Sequence, residues 1–465
     1  MKKQNKSTRR SFVKRLAGSA LLAGAAPQLA FGKPQKVELL PWNKDKFSAN
    51  DKIRIAAIGA GIMGFENIRT ALMVPGVELV AACDLYDGRL TRVKEVYGKE
   101  IFTTRDYREI LDRADVDAII NSTTDHWHDH ISIEAMQKGK AVYHEKPMVQ
   151  HLEEGQAVID AQKKTGKVLQ VGAQWVSSIV FLKAKELYKK GAIGELVMGE
   201  AVYDRQSAIG AWQYSIPPDA SEKTVDWTRF LGDAPKRPFD AVRFFRWRNY
   251  RDYGTGVAGD LFVHLFGGVH MITDSNGPNR IYCSGGLRYW KDGRDVPDVV
   301  LGIYDYPQTA MHPAFNLQMR VNFIDGSGGG TLIKIIGTEG TLEIRDDTLI
   351  LKRSKMPQNP GYGGWDTFHT FSEAMQKEFA KWYSENYPEP RPEIPEPEEV
   401  VYQAPDGYYD RKDHWQYFLD AVRNGGSVYE DAEFGLRAAA PALATNKSYF
   451  EKKVINWDPD KMNLV

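Results

Sequence analysis

The chain has 465 residues, 42% hydrophobic and 26% charged, a soluble globular composition with length for two or three domains. Lysine plus arginine and aspartate plus glutamate number 61 each, which removes the electrostatic case for a nucleic acid or an anionic membrane as partner. Two cysteines, Cys83 and Cys283, are too few for a thiolate metal site, and no apolar run is long enough for an ordinary membrane helix.

Residues 1–32 read as an address. Met1 to Arg15 is basic, Leu16 to Ala26 is an uncharged Ala/Leu/Gly run, and Pro27, Ala30 and Gly32 set a cleavage site before Lys33. The junction Ser7-Thr8-Arg9-Arg10-Ser11-Phe12-Val13-Lys14 resembles the twin-arginine export signal, so the expected location is the periplasm. Residues 33–50 read as a polar linker with Pro34 and Pro41.

From residue 51 to 172 the pattern alternates strand and helix. Ile53 to Ile58 is an apolar run, followed by the turn Gly59-Ala60-Gly61-Ile62-Met63-Gly64, a helical pattern to about Met73, and a second run, Val77 to Cys83, ending on Asp84. Gly59 suits the tight turn, Gly61 lets backbone approach a pyrophosphate, and Gly64 lets helix pack on strand. The helix start offers free N–H groups to phosphates, and Asp84 stands where a carboxylate accepts from ribose hydroxyls. A carboxylate repels a 2′-phosphate, so NAD is expected over NADP, although Arg89 stands nearby. Alone, the glycines could merely ease packing; the strand before, the helix after and the acid in place make the dinucleotide reading specific. Further strands are predicted at Ile101–Thr103, Val116–Asn121, Ala141–His144 and Val168–Val171, with helices between them, which gives a doubly wound parallel sheet.

Residues 173–465 change character. Gly194–Tyr203, Arg280–Gly285, Val299–Tyr304, Phe315–Phe323, Thr331–Gly337, Thr341–Ile344 and Thr348–Lys352 read as successive strands of a mostly antiparallel sheet in an α+β domain. Pro388 to Pro397 reads as an extended surface segment, and His414–Arg423 and Phe434–Glu451 as returning helices.

Four clusters carry candidate chemistry. Asn121 to His128, including Thr124, Asp125, His126, Trp127 and His128, ends the fourth strand, where open α/β sheets bind ligands. His126, His128 and His130 invite a metal, but the segment turns into a helix near Asp129, and none is assigned. Glu145-Lys146-Pro147 ends the next strand; Lys146 there can act as a positioned donor, or the three can be a plain proline turn. Asp260 and His264 share a helix face, which suits an oriented general base but also an ordinary solvated pair. Phe239 to Tyr253, rich in aromatics and arginines, suits a sugar, or a subunit interface.

Together these clusters, with Gly337-Thr338-Glu339-Gly340 and Phe434 to Ala439, resemble the Gfo/Idh/MocA family of oxidoreductases over nearly all the mature chain. The resemblance implies a Rossmann domain plus an α/β domain whose open sheet makes a homodimer or homotetramer. It implies Lys146, Asp260 and His264 as the catalytic set. Ile62, Met63, Asp84, Thr124 to His128, Glu145, Lys146 and Gln174 should line the NAD site; Tyr203, Arg248, Asp260 and His264 should line the sugar site. The expected activity is hydride exchange between NAD and a hydroxyl of a sugar or glycoside, with the cofactor carried through folded export and recycled in place. The NAD-using glycosidase branch departs from the Glu-Lys-Pro motif, which this chain keeps. Glycoside cleavage by transient oxidation is therefore the second expectation, and a non-catalytic binding protein on a dehydrogenase fold the third.

Overall fold

The computed structural model describes residues 36–42, 52–357, 359–387 and 398–465. The export signal read at 1–32, positions 43–50 of the linker and the proline-rich 388–397 lie outside the described residues. What was read as linker is in part a strand: Lys36–Leu39 forms β1, continued by a bond from the Leu40 N–H to the Gln403 carbonyl at 2.9 Å.

Apolar residues run almost unbroken through β2 (Ile53–Ile58), β3 (Val77–Cys83), β5 (Ala118–Asn121) and β6 (Ala141–His144), because both faces of their sheet are covered. With β4 (Phe102–Thr104) and β7 (Leu169–Val171) they pair in the order β4-β3-β2-β5-β6-β7, each pair parallel. The order reverses between β2 and β5, which opens a crevice at their carboxyl ends.

The second sheet is built from β1, β8 (Leu196–Asp204), β9 (Arg280–Gly286), β10 (Val299–Tyr306), β11 (Phe315–Asn322), β12 (Gly330–Gly337), β13 (Gly340–Arg345), β14 (Thr348–Arg353), β15 (Glu398–Gln403), β16 (Ile455–Asp458) and β17 (Asn463–Leu464). Their order is β1-β15-β14-β13-β12-β8-β11-β10-β9-β16-β17. β8 runs parallel to β11, whereas β9–β10, β10–β11, β8–β12, β12–β13, β13–β14 and β14–β15 are antiparallel. Burial alternates along β9, β10 and β11, so one face is core and the other open. The open face exposes Tyr282, Leu301 and Ile303.

The fold is thus an N-terminal Rossmann sheet joined to an α+β domain with a large, mostly antiparallel sheet. The sequence boundary near Gly172 is crossed by the returning chain. Helix Asp410–Asn424 lies on the parallel sheet: the Trp415 ring stacks on Tyr143 at 3.8 Å, and Trp415, Phe418 and Leu419 join the apolar cluster of Ile55, Ala57 and Ile120. The last strands β15–β17 and helix Glu373–Asn386 had no clear sequence signal.

Candidate active site

The glycine turn takes the shape its residues allow. Gly59 sits at φ +89°, and a Cβ there would come within 2.4 Å of the Ser122 carbonyl oxygen. A Cβ on Gly64 would lie 2.0 Å from the Gly59 carbonyl oxygen. At Gly61 the nearest atoms a Cβ would meet are those of the Arg89 guanidinium, at 3.7 Å or more, an ordinary van der Waals contact. Gly61 caps helix Ile62–Ala71 with no side-chain hydrogen bond and no acid in the first turn, which leaves its amides and dipole to an outside anion. These features fit a dinucleotide pyrophosphate.

The crevice is a cleft of about 1150 Å³, its open mouth included. Gly59, Gly61, Ile62, Met63, Asp84, Thr124, Asp125, Trp127, His128, Glu145, Lys146 and Arg248 line it. Asp84 is buried at its floor. One carboxylate oxygen accepts from the Ala60 N–H at 2.8 Å, the other from the Tyr86 N–H at 2.9 Å, with Arg89 at 3.4 Å from both. Asp84 therefore braces the turn while lining the cleft.

At the Lys146 end of the cleft, three elements bring charges together. Lys146, after β6, donates to the backbone carbonyl of Asp260 and to its carboxylate, both at 2.9 Å. Arg248 Nε donates to the same carboxylate oxygen at 3.1 Å. Burial works against the Asp260 charge, but the Lys146 and Arg248 cations hold its carboxyl well below the usual range. Asp125, buried in the adjoining loop, accepts from the Thr255 N–H at 2.9 Å and its hydroxyl at 2.8 Å. Burial, with the Asp260 charge, pushes its carboxyl up to about 7.

His264 stands one turn on from Asp260. Its ring lies 5.2 Å from Trp175 and 6.1 Å from Tyr203, and burial followed by the Lys146 charge keeps it neutral, well below the ordinary imidazole range. The expected hydrogen bond from Asp260 to His264 is not among those formed by the described residues. Residues Ala258–Phe262 make a π-helical turn, Asp260 is taken by Lys146 and Arg248, and His264 Nδ1 is buried without a partner.

Other expected residues divide. Gly64, His126, Gln174, Tyr203, Asp260 and His264 are not on the cleft wall proper. Gln174 turns to the Tyr143 hydroxyl at 3.3 Å. His126 Nε2 lies 2.8 Å from the Phe230 carbonyl, and burial lowers its pKa to about 4; His128 Nδ1 lies 2.7 Å from the Pro147 carbonyl. The aromatic stretch expected to hold sugar splits in two. Phe244 and Phe245 lie by the Arg89 guanidinium, near Asp84, whereas Arg248 stacks on Trp247 and reaches Asp260 beside Lys146.

Sequence reading missed the strap these aromatics belong to. Residues 214–255 supply part of the cleft wall through Tyr214, Phe230, Phe244, Phe245, Trp247 and Arg248, and are tied to the Rossmann side by Asp226 N–H to Leu85 carbonyl at 2.8 Å and Asp87 N–H to Thr224 carbonyl at 3.0 Å. Trp127 Nε1 donates to the Phe230 carbonyl at 3.1 Å. Tyr86 joins Val225, Trp227, Phe230, Leu231, Phe244, Phe245, Tyr250 and Tyr253 in a separate apolar cluster. The density of aromatics between 227 and 253 was the available signal; its contact with Tyr86 was not readable.

Residues 53–173 match the model of an oxidoreductase family's NAD-binding Rossmann fold, and residues 226–456 that family's C-terminal alpha/beta domain. A glycosyl hydrolase family 109 protein of Shewanella baltica is 30% identical over 223 residues, 46% of either chain. An alpha-N-acetylgalactosaminidase of Shewanella oneidensis is 30% identical over 186 residues, 38% of this chain and 39% of that one. The chain thus spans less than half the length of these curated relatives. Among solved structures, levoglucosan dehydrogenase in complex with NADH and levoglucosan superposes with TM-score 0.59 at 18% identity, over 87% of this chain and 99% of that one. The WlbA dehydrogenase of Bordetella pertussis, in complex with NADH and UDP-GlcNAcA, does so with TM-score 0.61 at 16% identity, over 88% and 99%. At these identities the likeness is one of fold.

Proposed function

Since the chain belongs to the Gfo/Idh/MocA family of oxidoreductases, we propose that it moves a hydride between NAD and a hydroxyl-bearing carbon of a sugar or glycoside. The observation that carries this reading is Lys146, held against Asp260 at the inner end of a cleft that begins at an uncapped, glycine-opened helix. A nicotinamide dinucleotide in that cleft would supply the hydride acceptor. The amides at Gly61 to Met63 would hold its pyrophosphate and Asp84 its ribose, and that carboxylate favours NAD over NADP.

The rest is the protein's own work. Lys146 has three N–H donors and gives two to Asp260, so one is left for the substrate oxygen. Asp260 fixes the ammonium and partly offsets its charge. His264, held neutral one turn on from Asp260, is the group this reading assigns to take the hydroxyl proton. The strap over residues 214–255 supports retention of the nucleotide between turnovers, because release requires parting an aromatic cluster. Export through the twin-arginine route to the periplasm fits a cofactor loaded before export, and cell fractionation tests it. The exposed Tyr282, Leu301 and Ile303 support a homodimer or homotetramer, readable by light scattering.

The second reading, cleavage of a glycoside by transient oxidation and elimination, is favoured by the family 109 relatives. Incubating holoenzyme with a glycoside panel separates the two. A keto-glycoside with a rise in nicotinamide absorbance supports dehydrogenation; free sugar without net absorbance change supports cleavage. Neither product from any glycoside overturns both.

A further inference from the structure

Resting on the reading of a sugar-acting oxidoreductase, we propose that its substrate carries a carboxylate, as a uronic acid or its glycoside does, and that the outer edge of the Arg248 guanidinium receives it. Two cations share one anion here. The Lys146 ammonium and the Arg248 Nε both bind the same oxygen of Asp260, and these side chains are only 10%, 20% and 6% exposed. A charge held in so little water is costly without a counter-ion.

The neighbouring carboxyls are committed elsewhere. Glu145 accepts from Asn67 Nδ2 at 2.7 Å, and Asp125, which offsets the Arg248 charge only in part, is bonded to the Thr255 N–H and hydroxyl. Arg205 adds a third cation: its guanidinium lies 5.2 Å from the centre of the Tyr203 ring, which is itself 6.1 Å from His264. An oxidised nicotinamide brings further positive charge rather than an anion.

The geometry of Arg248 names the missing group. Its Nε is spent on Asp260, its plane is stacked on Trp247 at 4.2 Å, and its two terminal nitrogens have no hydrogen-bond partner among the described residues. It lines the cleft wall beside Lys146. A guanidinium fixed this way presents a planar two-donor edge, the match for a carboxylate's two oxygens. The remaining N–H of Lys146 serves the reacting hydroxyl, so the Arg248 edge is left for a separate substituent.

The test uses holoenzyme purified with its own nucleotide. Matched methyl glycosides and methyl glycosiduronates of the gluco, galacto and manno series are titrated by calorimetry, and each is followed by nicotinamide absorbance and product mass. At least one uronide is expected to bind about tenfold tighter than its neutral partner, with a higher kcat/KM, and the preference should shrink with added salt. Arg248→Lys, which keeps the charge and loses the two-donor edge, should cut the preference by raising the uronide KM. Neutral sugars handled as well as their uronides in every pair, or no uronide bound at all, would overturn the proposal. Conversion of neutral sugars alone would overturn it while leaving the oxidoreductase reading standing. Tight uronide binding with no redox or cleavage product would uphold it and sink that reading.

Discussion

Lys146 reaches the reaction end with two of its bonds fixed to one residue, and that makes its removal informative. Lys146→Ala is expected to keep its nucleotide and lose turnover by a factor of about 10² or more, as for loss of a general acid or base. Unchanged turnover, measured by product formation, rejects the assigned role. Asp125 gives a pH signature. Its folded carboxyl is raised, so its share of stability is full below an unfolded value of about 4 and is lost as pH rises toward about 7. The loss is on the order of 4 kcal/mol by linkage. Asp125→Asn should flatten the fall in Tm across that window, and a parallel pH profile in denaturation experiments counts against the assignment.

The glycine turn separates two kinds of necessity. Gly64→Ala drives a Cβ into the Gly59 carbonyl and should destabilise the fold by about 3 kcal/mol or more. Gly61→Ala meets nothing closer than 3.7 Å, so folding should change by less than about 1 kcal/mol while the nucleotide is lost. Absorbance of the purified variants and their Tm values check both, and a nucleotide-loaded Gly61→Ala would discredit the pyrophosphate placement. Here the sequence was legible, because a turn, its helix and its acid are local, and Gly59 and Gly64 each have a steric reason. The parallel strands were legible for a similar reason, as apolar runs between helical patterns. The Asp260–His264 pair was misread because spacing reports which residues are near, not which of several charges wins the bond. Lys146 and Arg248 arrive from distant segments and take the carboxylate. The strap was invisible because its anchor, Tyr86, follows a strand of the parallel sheet and sits far away in the chain from the cluster it joins.

At the scale of the molecule, the strap and the returning helix both tie the C-terminal part to the Rossmann sheet. Purified mature protein should release about one nucleotide per chain on denaturation, and only then, since the strap's cluster must part first. An empty protein refutes the retained-cofactor reading. Phe230→Ala, which removes a ring from that cluster and leaves Lys146 untouched, should release nucleotide at least about tenfold faster, because a lost core ring costs about 3 kcal/mol.

Trp415 against Tyr143 carries a last consequence. The familiar practice of borrowing a cofactor-binding module by cutting where its motif ends would fail with this gene. A piece stopping at residue 173 would leave behind the aromatic lid of its own β-layer and present Ile55, Ala57, Ile120 and Tyr143 to water. A usable transplant would have to carry along the helix Asp410–Asn424, far downstream of the motif.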